Sequence, residues 1–453
     1  MSTKLSSINP ANELPIGTWP VFDATSIDGV LDRAYTLASR WSQSPRSERL
    51  ALLLRVAEQL EQHVDQLAQG ITEEMGKPIR EARAEVKKCA LVCRHYAATA
   101  DAALQERRIE GVGYVRIDPL GPILAIMPWN FPFWQVFRVA VPAIALGNPI
   151  VLKHAENVCS CALACEALFR AAGAPEGAFQ TIFTTTAQIP SIIHDTRIAG
   201  VTLTGSERAG SAVGALAGSS IKPVVLELGG SDPFVVLADA DLARAVEVAV
   251  QARMQNSGQS CIAAKRFIIE APIYDRFVRL FSARVQELSC DDPAFESTQV
   301  GPLARADLLE HLEEQVRESV GYGARVVCGG SRRSGRGYFY EPTVLAEVTE
   351  RHRVFSEEVF GPVASMLVAD DEAHAISLAN QTPFGLGASI WTQPERGLAL
   401  APSVRAGCVG VNQMVRSDPR TPFGGVGRSG VGRELGTEGL LSFANVRTVI
   451  TEG

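Results

Sequence analysis

The chain has 453 residues and a formal net charge of −7, with 46% hydrophobic, 21% charged and 7% aromatic residues. These proportions are typical of a globular protein of two or three domains, and they exclude a disordered, collagen-like or coiled-coil chain. The acidic balance and the lack of a dense Lys/Arg run argue against a nucleic-acid-binding protein.

The N-terminal segment 1–15 is polar and lacks the apolar core of a signal peptide. The longest apolar stretch, 140–152, is interrupted by two prolines and a glycine, so we expect no membrane span. The nine cysteines form no CxxC pair, which is typical of a protein from a reducing compartment. We therefore expect a cytoplasmic protein.

The first hundred residues predict helices. The first helix follows the possible caps Thr25 and Ser26, the second covers about 46–74, and the third, rich in alanine and charged residues, covers about 79–104.

From residue 113 onward, short β-branched runs alternate with helical stretches. The runs that we predict to be strands are 123–127, 150–153, 180–183, 200–204 and 224–228. This alternation predicts an α/β fold whose doubly wound parallel sheet has helices on both faces.

A second α/β region follows the pair Gly229 and Gly230. Its predicted strands are 234–237, 265–270, one near Val326, 364–368 and 389–392. The β-like tail 445–450 lies beyond a glycine-rich turn, and we expect it to pair with a distant segment.

The segment Pro-Trp-Asn-Phe-Pro, 128–132, directly follows a predicted strand. Two prolines restrict the turn, and Asn130 offers an amide donor at the sheet edge where α/β proteins bind ligands. The alternative interpretation is a rigid turn in which Asn130 caps its own backbone.

The segment Leu-Glu-Leu-Gly-Gly, 226–230, places Glu227 at the end of a nonpolar strand. Apolar surroundings would raise the pKa of this carboxyl towards the range of a general base. The alternative is a side chain that points to solvent at the strand end.

The segment Asn-Ser-Gly-Gln-Ser-Cys, 256–261, places Cys261 after a glycine-containing loop, where it could act as a nucleophile. The alternative is a small buried hydrophobic residue. No histidine lies in any of these motifs, which disfavours a Ser/His or Cys/His hydrolase. Neither HExxH nor a paired-cysteine spacing is present, so we predict no metal site.

Together these segments resemble the aldehyde dehydrogenase superfamily along the whole chain. The matching motifs are PWNFP (128–132), LKHAE (152–156), TGS with a second glycine (204–206 and 210), LELGG (226–230), GQSC (258–261), EEVFGP (357–362) and PFGG with RSGVGRE (422–434). Seven motifs in one order are far more specific than any one of them.

The resemblance implies that Cys261 attacks the aldehyde carbon as a thiolate to give a thiohemiacetal. The Asn130 side-chain amide and the Cys261 backbone N–H would form the oxyanion hole. After hydride leaves for a nicotinamide, Glu227 would activate the water that hydrolyses the thioester.

The resemblance also implies a dinucleotide site without a GxGxxG motif. Gly205, Ser206 and Gly210 would meet the pyrophosphate at a helix start. The other residues implied at this cofactor are Trp129, Lys153, Glu156, Glu358 and Phe360. A carboxylate at Glu156 would bind ribose hydroxyls and repel a 2′-phosphate, so we expect NAD rather than NADP. The alternative is that Glu156 turns to solvent and leaves Lys153 to accept either.

Within the superfamily the chain looks most like bacterial succinate-semialdehyde dehydrogenases. That resemblance implies that Arg138 holds the distal carboxylate of the substrate, with Trp134 and Ser417 at the same site. The alternative for Arg138 is an ordinary helix-surface residue. Gln255 stands where some members carry a second arginine, which should loosen the preference for a dicarboxylic semialdehyde. Ala263 stands where some carry a second cysteine, so we expect no disulfide switch of the nucleophile.

The same resemblance divides the chain into a dinucleotide-binding domain (1–105 and 120–228), a catalytic domain (229–436) and a small β oligomerisation element (106–119 and 437–453). It implies a homodimer or a homotetramer and a small-molecule aldehyde as substrate.

Three other functions stay open. One is the same chemistry on glutarate semialdehyde or on an aromatic or aliphatic aldehyde. Another is a thiol hydrolase that needs no cofactor, and the last is a non-catalytic scaffold.

Overall fold

The computed structural model describes residues 3–451. Within that range the strands form sheets of seven, six, three and two strands. None of the described helices combines the length and apolar content that a bilayer-spanning segment requires.

An N-terminal hairpin and four helices open the chain. The elements are β1 (Lys4–Ile8), β2 (Pro15–Pro20), α1 (Ala24–Trp41), α2 (Arg46–Gln62), α3 (Val64–Met75) and α4 (Ile79–Ala103). The hairpin was not predicted, and the predicted helix 46–74 is divided at His63 into α2 and α3. The cap of α1 is Asp23, whose carboxylate accepts the N–H of Ser26, and not Thr25 or Ser26 as expected.

Strands and helices then alternate up to residue 227. The elements are β3 (Arg107–Ile109), β4 (Gly113–Pro119), β5 (Ile123–Met127), α5 (Trp134–Leu146), β6 (Ile150–His154), α6 (Cys159–Ala171), β7 (Phe179–Thr181), α7 (Ile189–His194), β8 (Gly200–Thr204), α8 (Glu207–Ser219) and β9 (Val224–Glu227). Strands β5 to β9 pair in parallel in the spatial order β9-β8-β5-β6-β7.

Both faces of this sheet are covered. Alternate residues of β5 point to opposite faces, as a strand requires. Ile123 and Ala125 pack into the core of α2 to α6. Leu124 joins a separate core that includes Ile27 and Leu31 of α1 and Val213 of α8. The prediction of a doubly wound α/β fold is thereby confirmed.

A second sheet forms the following part of the chain. Its elements are β10 (Pro233–Val236), α9 (Leu242–Met254), β11 (Arg266–Glu270), α10 (Tyr274–Gln286), α11 (Ala306–Gly321), β12 (Arg325–Cys328), β13 (Thr343–Ala346), α12 (Arg353–Ser356), β14 (Val363–Ala369), α13 (Glu372–Asn380), β15 (Gly387–Trp391), α14 (Pro394–Leu400) and β16 (Cys408–Val411). The spatial order is β12-β13-β14-β11-β10-β15-β16, and the only antiparallel neighbours within this described sheet are β12 and β13. Val235 and Ile268 face one core, while Phe234 and Phe267 face another.

The last segment returns to the earlier sheets. It contains β17 (Gly430–Val431), α15 (Gly436–Leu441) and β18 (Ala444–Ile450). Strand β17 pairs antiparallel with β9 and becomes the sixth strand of the first sheet, although it lies inside the range 229–436 expected for the catalytic domain. Strand β18 pairs with β4, so the tail does join a distant segment and forms the three-stranded sheet β18-β4-β3.

Candidate active site

Cys261 lies in the loop between α9 and β11. Two residues of that loop, Asn256 and Ser257, have φ angles of +54° and +55°, a left-handed conformation that costs roughly 1–2 kcal/mol for each non-glycine residue. The Asn256 N–H donates to the Glu81 carboxylate at 2.6 Å, and the Gly301 N–H donates to the Ser257 hydroxyl at 2.8 Å. Contacts with other parts of the chain therefore hold the strained loop ahead of the cysteine.

Asn130 is joined to the same loop. Its amide Nδ2 donates to the Gln259 carbonyl at 3.0 Å, and Asn256 Nδ2 donates to the Asn130 carbonyl at 2.8 Å. Asn130 thus binds the chain two residues before Cys261 and does not cap its own backbone. One amide N–H is used by Gln259, so the second can serve a bound group.

Glu227 ends β9 and is only 2% exposed, which rules out the solvent-facing alternative. Neither carboxylate oxygen hydrogen-bonds to any residue in the described range 3–451. Burial, reinforced by the Glu434 carboxylate, raises the pKa of Glu227 well above its ordinary value, while Arg138 and Arg433 oppose the rise. Glu227 therefore ionises less readily than an exposed glutamate does.

Arg138 is also 2% exposed, so it is not a helix-surface residue. Its guanidinium forms an ion pair with Glu434 and lies 4.6 Å from the centre of the Phe423 ring. Arg138 is therefore a partly neutralised cation. Its Nη2 is buried and makes no hydrogen bond to any described residue.

A cavity of about 850 Å³ leads to Cys261, and Arg138, Trp134 and Ser417 line it. The Ser417 hydroxyl accepts hydrogen bonds from Lys88 Nζ at 2.7 Å and from Trp134 Nε1 at 3.1 Å. Lys88 lines the same cavity and lies 4.2 Å from the centre of the Trp134 ring. The cavity thus brings together all three residues expected at the substrate and adds a lysine.

Sequence reasoning missed Lys88. It lies on α4 within a run of charged residues that resembles a solvated helix face. The available signal was spacing, because Glu81, Glu85 and Lys88 are four and three residues apart and so share one face. All three line the cavity.

The electrostatics of Cys261 follow from its surroundings. Burial raises the pKa of the Cys261 thiol to about 12. Arg138 and Lys265 oppose that rise, whereas Glu358 and Glu227 add to it. The resting site therefore holds a neutral thiol, and its activation depends on the nearby cations.

The residues expected at a dinucleotide lie where β6, β8 and β9 end. Ser206 caps α8, accepting the Ala209 N–H at 3.3 Å, and the Gly205 N–H donates to the Glu227 carbonyl at 2.9 Å. A Cβ on Gly210 would lie 2.4 Å from the Leu228 side chain, so only glycine allows α8 to pack this closely. This exposed helix start suits a diphosphate.

The remaining cofactor candidates flank that helix start. The rings of Trp129 and Phe360 lie 5.7 Å apart and perpendicular to each other. Lys153 is half-buried at the end of β6, and Glu156 is exposed beyond it. The Glu358 carboxylate accepts the Gly230 N–H at 3.1 Å. A helix start, a cation and a carboxylate in this arrangement fit a dinucleotide.

Within residues 3–451 no group of three or more His, Cys, Asp or Glu side chains is arranged to hold a metal ion.

Comparison with known proteins finds relatives that match this chain over almost its whole length. The model of the aldehyde dehydrogenase family matches residues 1–449. A Synechocystis relative named probable succinate-semialdehyde dehydrogenase [NADP(+)] is 46% identical over 449 residues, which are 98% of this chain and 99% of the relative. A Mycobacterium tuberculosis relative named succinate-semialdehyde dehydrogenase [NADP(+)] 1 is 44% identical over 452 residues, with coverages of 98% and 99%. The solved succinic semialdehyde dehydrogenase of Streptococcus pyogenes, in complex with NADP⁺, is 34% identical with a TM-score of 0.97, and the match covers 99% of this chain and 100% of that one.

Proposed function

Because the chain belongs to the aldehyde dehydrogenase family, we propose that it oxidises succinate semialdehyde to succinate with a nicotinamide dinucleotide as hydride acceptor. The observation that carries the proposal is the cavity that joins Cys261 to the donor group of Lys88, Ser417 and Trp134. An aldehyde at the cysteine would then place a distal carboxylate among hydrogen-bond donors.

In the first step the Cys261 thiolate attacks the aldehyde carbon and the carbonyl oxygen becomes an oxyanion. The second amide N–H of Asn130 and the Cys261 backbone N–H hold that oxygen; the Cys261 N–H donates to no acceptor within residues 3–451. One such donor is worth about 3 kcal/mol in the transition state. A nicotinamide held by the residues at the start of α8 would accept the hydride, and loss of that hydride would leave a thioester on Cys261.

In the second step Glu227 removes a proton from water, which attacks the thioester carbonyl and releases Cys261 as a thiolate. Only the ionised carboxylate can do this. Since burial raises the pKa of Glu227, the rate of thioester hydrolysis should rise with pH.

The hydrogen bonds of Ser417 show which donors remain for a substrate carboxylate. A hydroxyl has two acceptor lone pairs and one donor. Lys88 and Trp134 occupy both lone pairs of Ser417, so its O–H is left to donate. Lys88 adds further ammonium donors, and Arg138 adds positive charge at the lining of the same cavity. A hydroxyl and an ammonium that converge on one cavity, beside a guanidinium, suit a carboxylate.

Lys88→Met tests this site. Losing a charge-assisted hydrogen bond costs about 1.5–3 kcal/mol, so kcat/KM for succinate semialdehyde should fall about 10- to 150-fold, while that for butanal, an uncharged analogue, should stay near wild type. Burial lowers the pKa of Lys88 to about 8, so the wild-type KM for the semialdehyde should rise above about pH 8 and that of the variant should not. The measurement is the appearance of reduced nicotinamide with each aldehyde.

The matched control is Lys87→Met, which removes the neighbouring exposed lysine of α4. It should change kcat/KM neither for succinate semialdehyde nor for butanal. Equal losses on butanal and succinate semialdehyde in Lys88→Met would contradict a carboxylate site. Parallel assays with glutarate semialdehyde and benzaldehyde test the alternative substrates.

The choice of dinucleotide rests on Glu156. The names of the relatives compared above favour NADP. We propose NAD for this chain, because the Glu156 carboxylate follows Lys153 by three residues and is among the charges that act on it. A 2′-phosphate bound at Lys153 would meet that negative charge.

Glu156→Gln is expected to raise kcat/KM for NADP about tenfold and to leave that for NAD equal or lower, since like charges about 4 Å apart repel by about 1–4 kcal/mol. Initial rates with both dinucleotides provide the measurement, and Glu176→Gln, another exposed carboxylate, is the control. The proposed role of Glu156 would be refuted if the wild-type enzyme prefers NADP and the variant has the same ratio of kcat/KM for NADP to kcat/KM for NAD.

The three-stranded sheet supports a proposal about assembly. Strand β18 forms one edge of that sheet, and its Val446 and Ile450 side chains are exposed. An open edge with apolar side chains is a template for pairing with another chain. We propose that copies of this chain associate there as a homodimer or homotetramer.

A further inference from the structure

Lys265 is a fully buried lysine four residues after Cys261 and directly before β11. Its ammonium donates to the Ser260 carbonyl at 3.0 Å and also to the Cys261 carbonyl. One side chain therefore holds the two backbone carbonyls on either side of Cys261.

A carboxylate lies on the other side of the same ammonium. Glu358 Oε1 is 3.4 Å from Lys265 Nζ, and the Glu358 side chain is 22% exposed, whereas Lys265 is 0% exposed. The Lys265 N–H also donates to the Asp232 carbonyl at 2.9 Å, which holds the lysine backbone in place. Lys265 thus lies between the nucleophile and a carboxylate that faces the expected dinucleotide.

The charges that face Cys261 come from four places. Arg138 on α5 and Lys265 favour the thiolate, while Glu358 and Glu227 disfavour it. Arg138 is paired with Glu434, so its positive charge is already shared. Lys265 is the cation that is attached to the main chain of the nucleophile itself.

We propose that Lys265 is a positioning residue for the nucleophile: its ammonium holds the Ser260–Cys261 segment and supplies positive charge that favours the thiolate, and its pairing with Glu358 limits that charge. This rests on the proposed function only in taking Cys261 as the nucleophile. The proposal requires that the two side chains act in opposite directions. Losing Lys265 makes the thiol less reactive, and neutralising Glu358 makes it more reactive.

The test is the rate at which iodoacetamide alkylates Cys261 at pH 8, without aldehyde or dinucleotide, followed by mass spectrometry of the Cys261 peptide. Lys265→Met should slow alkylation about threefold and Glu358→Gln should speed it about threefold. A one-unit pKa change alters the thiolate fraction tenfold, and the opposing change in thiolate nucleophilicity reduces the net effect. Lys265→Arg, which keeps the charge, should stay within about 1.5-fold of wild type.

The double variant Lys265→Met/Glu358→Gln should be alkylated faster than Lys265→Met alone, because the Glu358 carboxylate also acts directly on the Cys261 thiol. Changes in the same direction in the two single variants would indicate a loosened loop and overturn the proposal. An alkylation rate of Glu358→Gln within about 1.5-fold of wild type would also overturn the proposal. This measurement does not need Lys265→Met, so it remains decisive even if circular dichroism shows that Lys265→Met does not fold. Because the alkylation assay contains no substrate, its result tests the role of Lys265 even if succinate semialdehyde is not the substrate.

Discussion

Cys261→Ala is expected to lower kcat for aldehyde oxidation by about 10⁴-fold or more, the size of loss seen when a covalent nucleophile is removed. Without the sulfur no thiohemiacetal forms, and the aldehyde carbon does not become the tetrahedral hydride donor that the reaction requires. The measurement is reduced-nicotinamide formation at high enzyme concentration, with succinate semialdehyde in excess.

The control for this variant is Cys328→Ala, which removes a partly exposed thiol from β12 and should keep full activity. Dinucleotide binding to Cys261→Ala, followed by tryptophan fluorescence, should be unchanged. Residual activity above about 1% of wild type would point to a different nucleophile, since a covalent mechanism has no comparable bypass.

Glu227→Gln should separate the two steps of the reaction. The first turnover needs the cysteine, so a burst of about one reduced nicotinamide per active site should remain, while the steady rate falls about 10²- to 10⁴-fold because no base activates water. Stopped-flow absorbance measures both phases. If the burst is lost together with the steady rate, Glu227 acts before the thioester and the assigned role is wrong.

The same variant should change the pH profile. The ionised form of Glu227 increases as pH rises through its raised pKa, so the wild-type steady rate should increase with pH and the glutamine variant should lose this rise.

Stability gives an independent check. A carboxyl whose pKa is raised by folding destabilises the native state as pH rises above its unfolded pKa. Glu227→Gln removes that cost, so its melting temperature at neutral pH should equal or exceed that of wild type.

Much of the fold could be predicted from local pattern. The parallel strands of both sheets are short β-branched runs between helical stretches, and most were located within a few residues. Strand β13 (Thr343–Ala346) is a buried run with two β-branched residues and was nevertheless missed. Other strands that were missed lack that signal. Strand β17 has two residues, of which one is Gly430, and it exists only because β9 offers an edge to pair with. The β1–β2 hairpin is mostly exposed and has no continuous apolar run.

The residues of the candidate site also divide into those that a local sequence motif indicates and those that it does not. Asn130, Glu227 and Cys261 each follow or end a recognisable strand or loop motif, and the structure connects Asn130 to the cysteine loop through Gln259. Arg138 could be identified as a cation, but its pairing with Glu434, far along the chain, has no local signature. The contribution of Lys88 depends on a hydroxyl that the fold brings from the late loop. Contacts of this range are set by tertiary packing, which local pattern does not encode.

The return of β17 to the first sheet has a consequence for how the protein is made. Ser429, beside β17, donates to the Gly229 carbonyl beyond β9, and these two residues are 200 positions apart. At about 5–20 residues per second, a ribosome needs on the order of 10–40 s to add that length. During this interval the edge at Glu227 has no partner strand, because the segment that covers it has not yet been synthesised. The nascent protein therefore carries an open sheet edge at Glu227 until the segment that contains β17 has been made, and an unpaired edge of this kind is prone to aggregation.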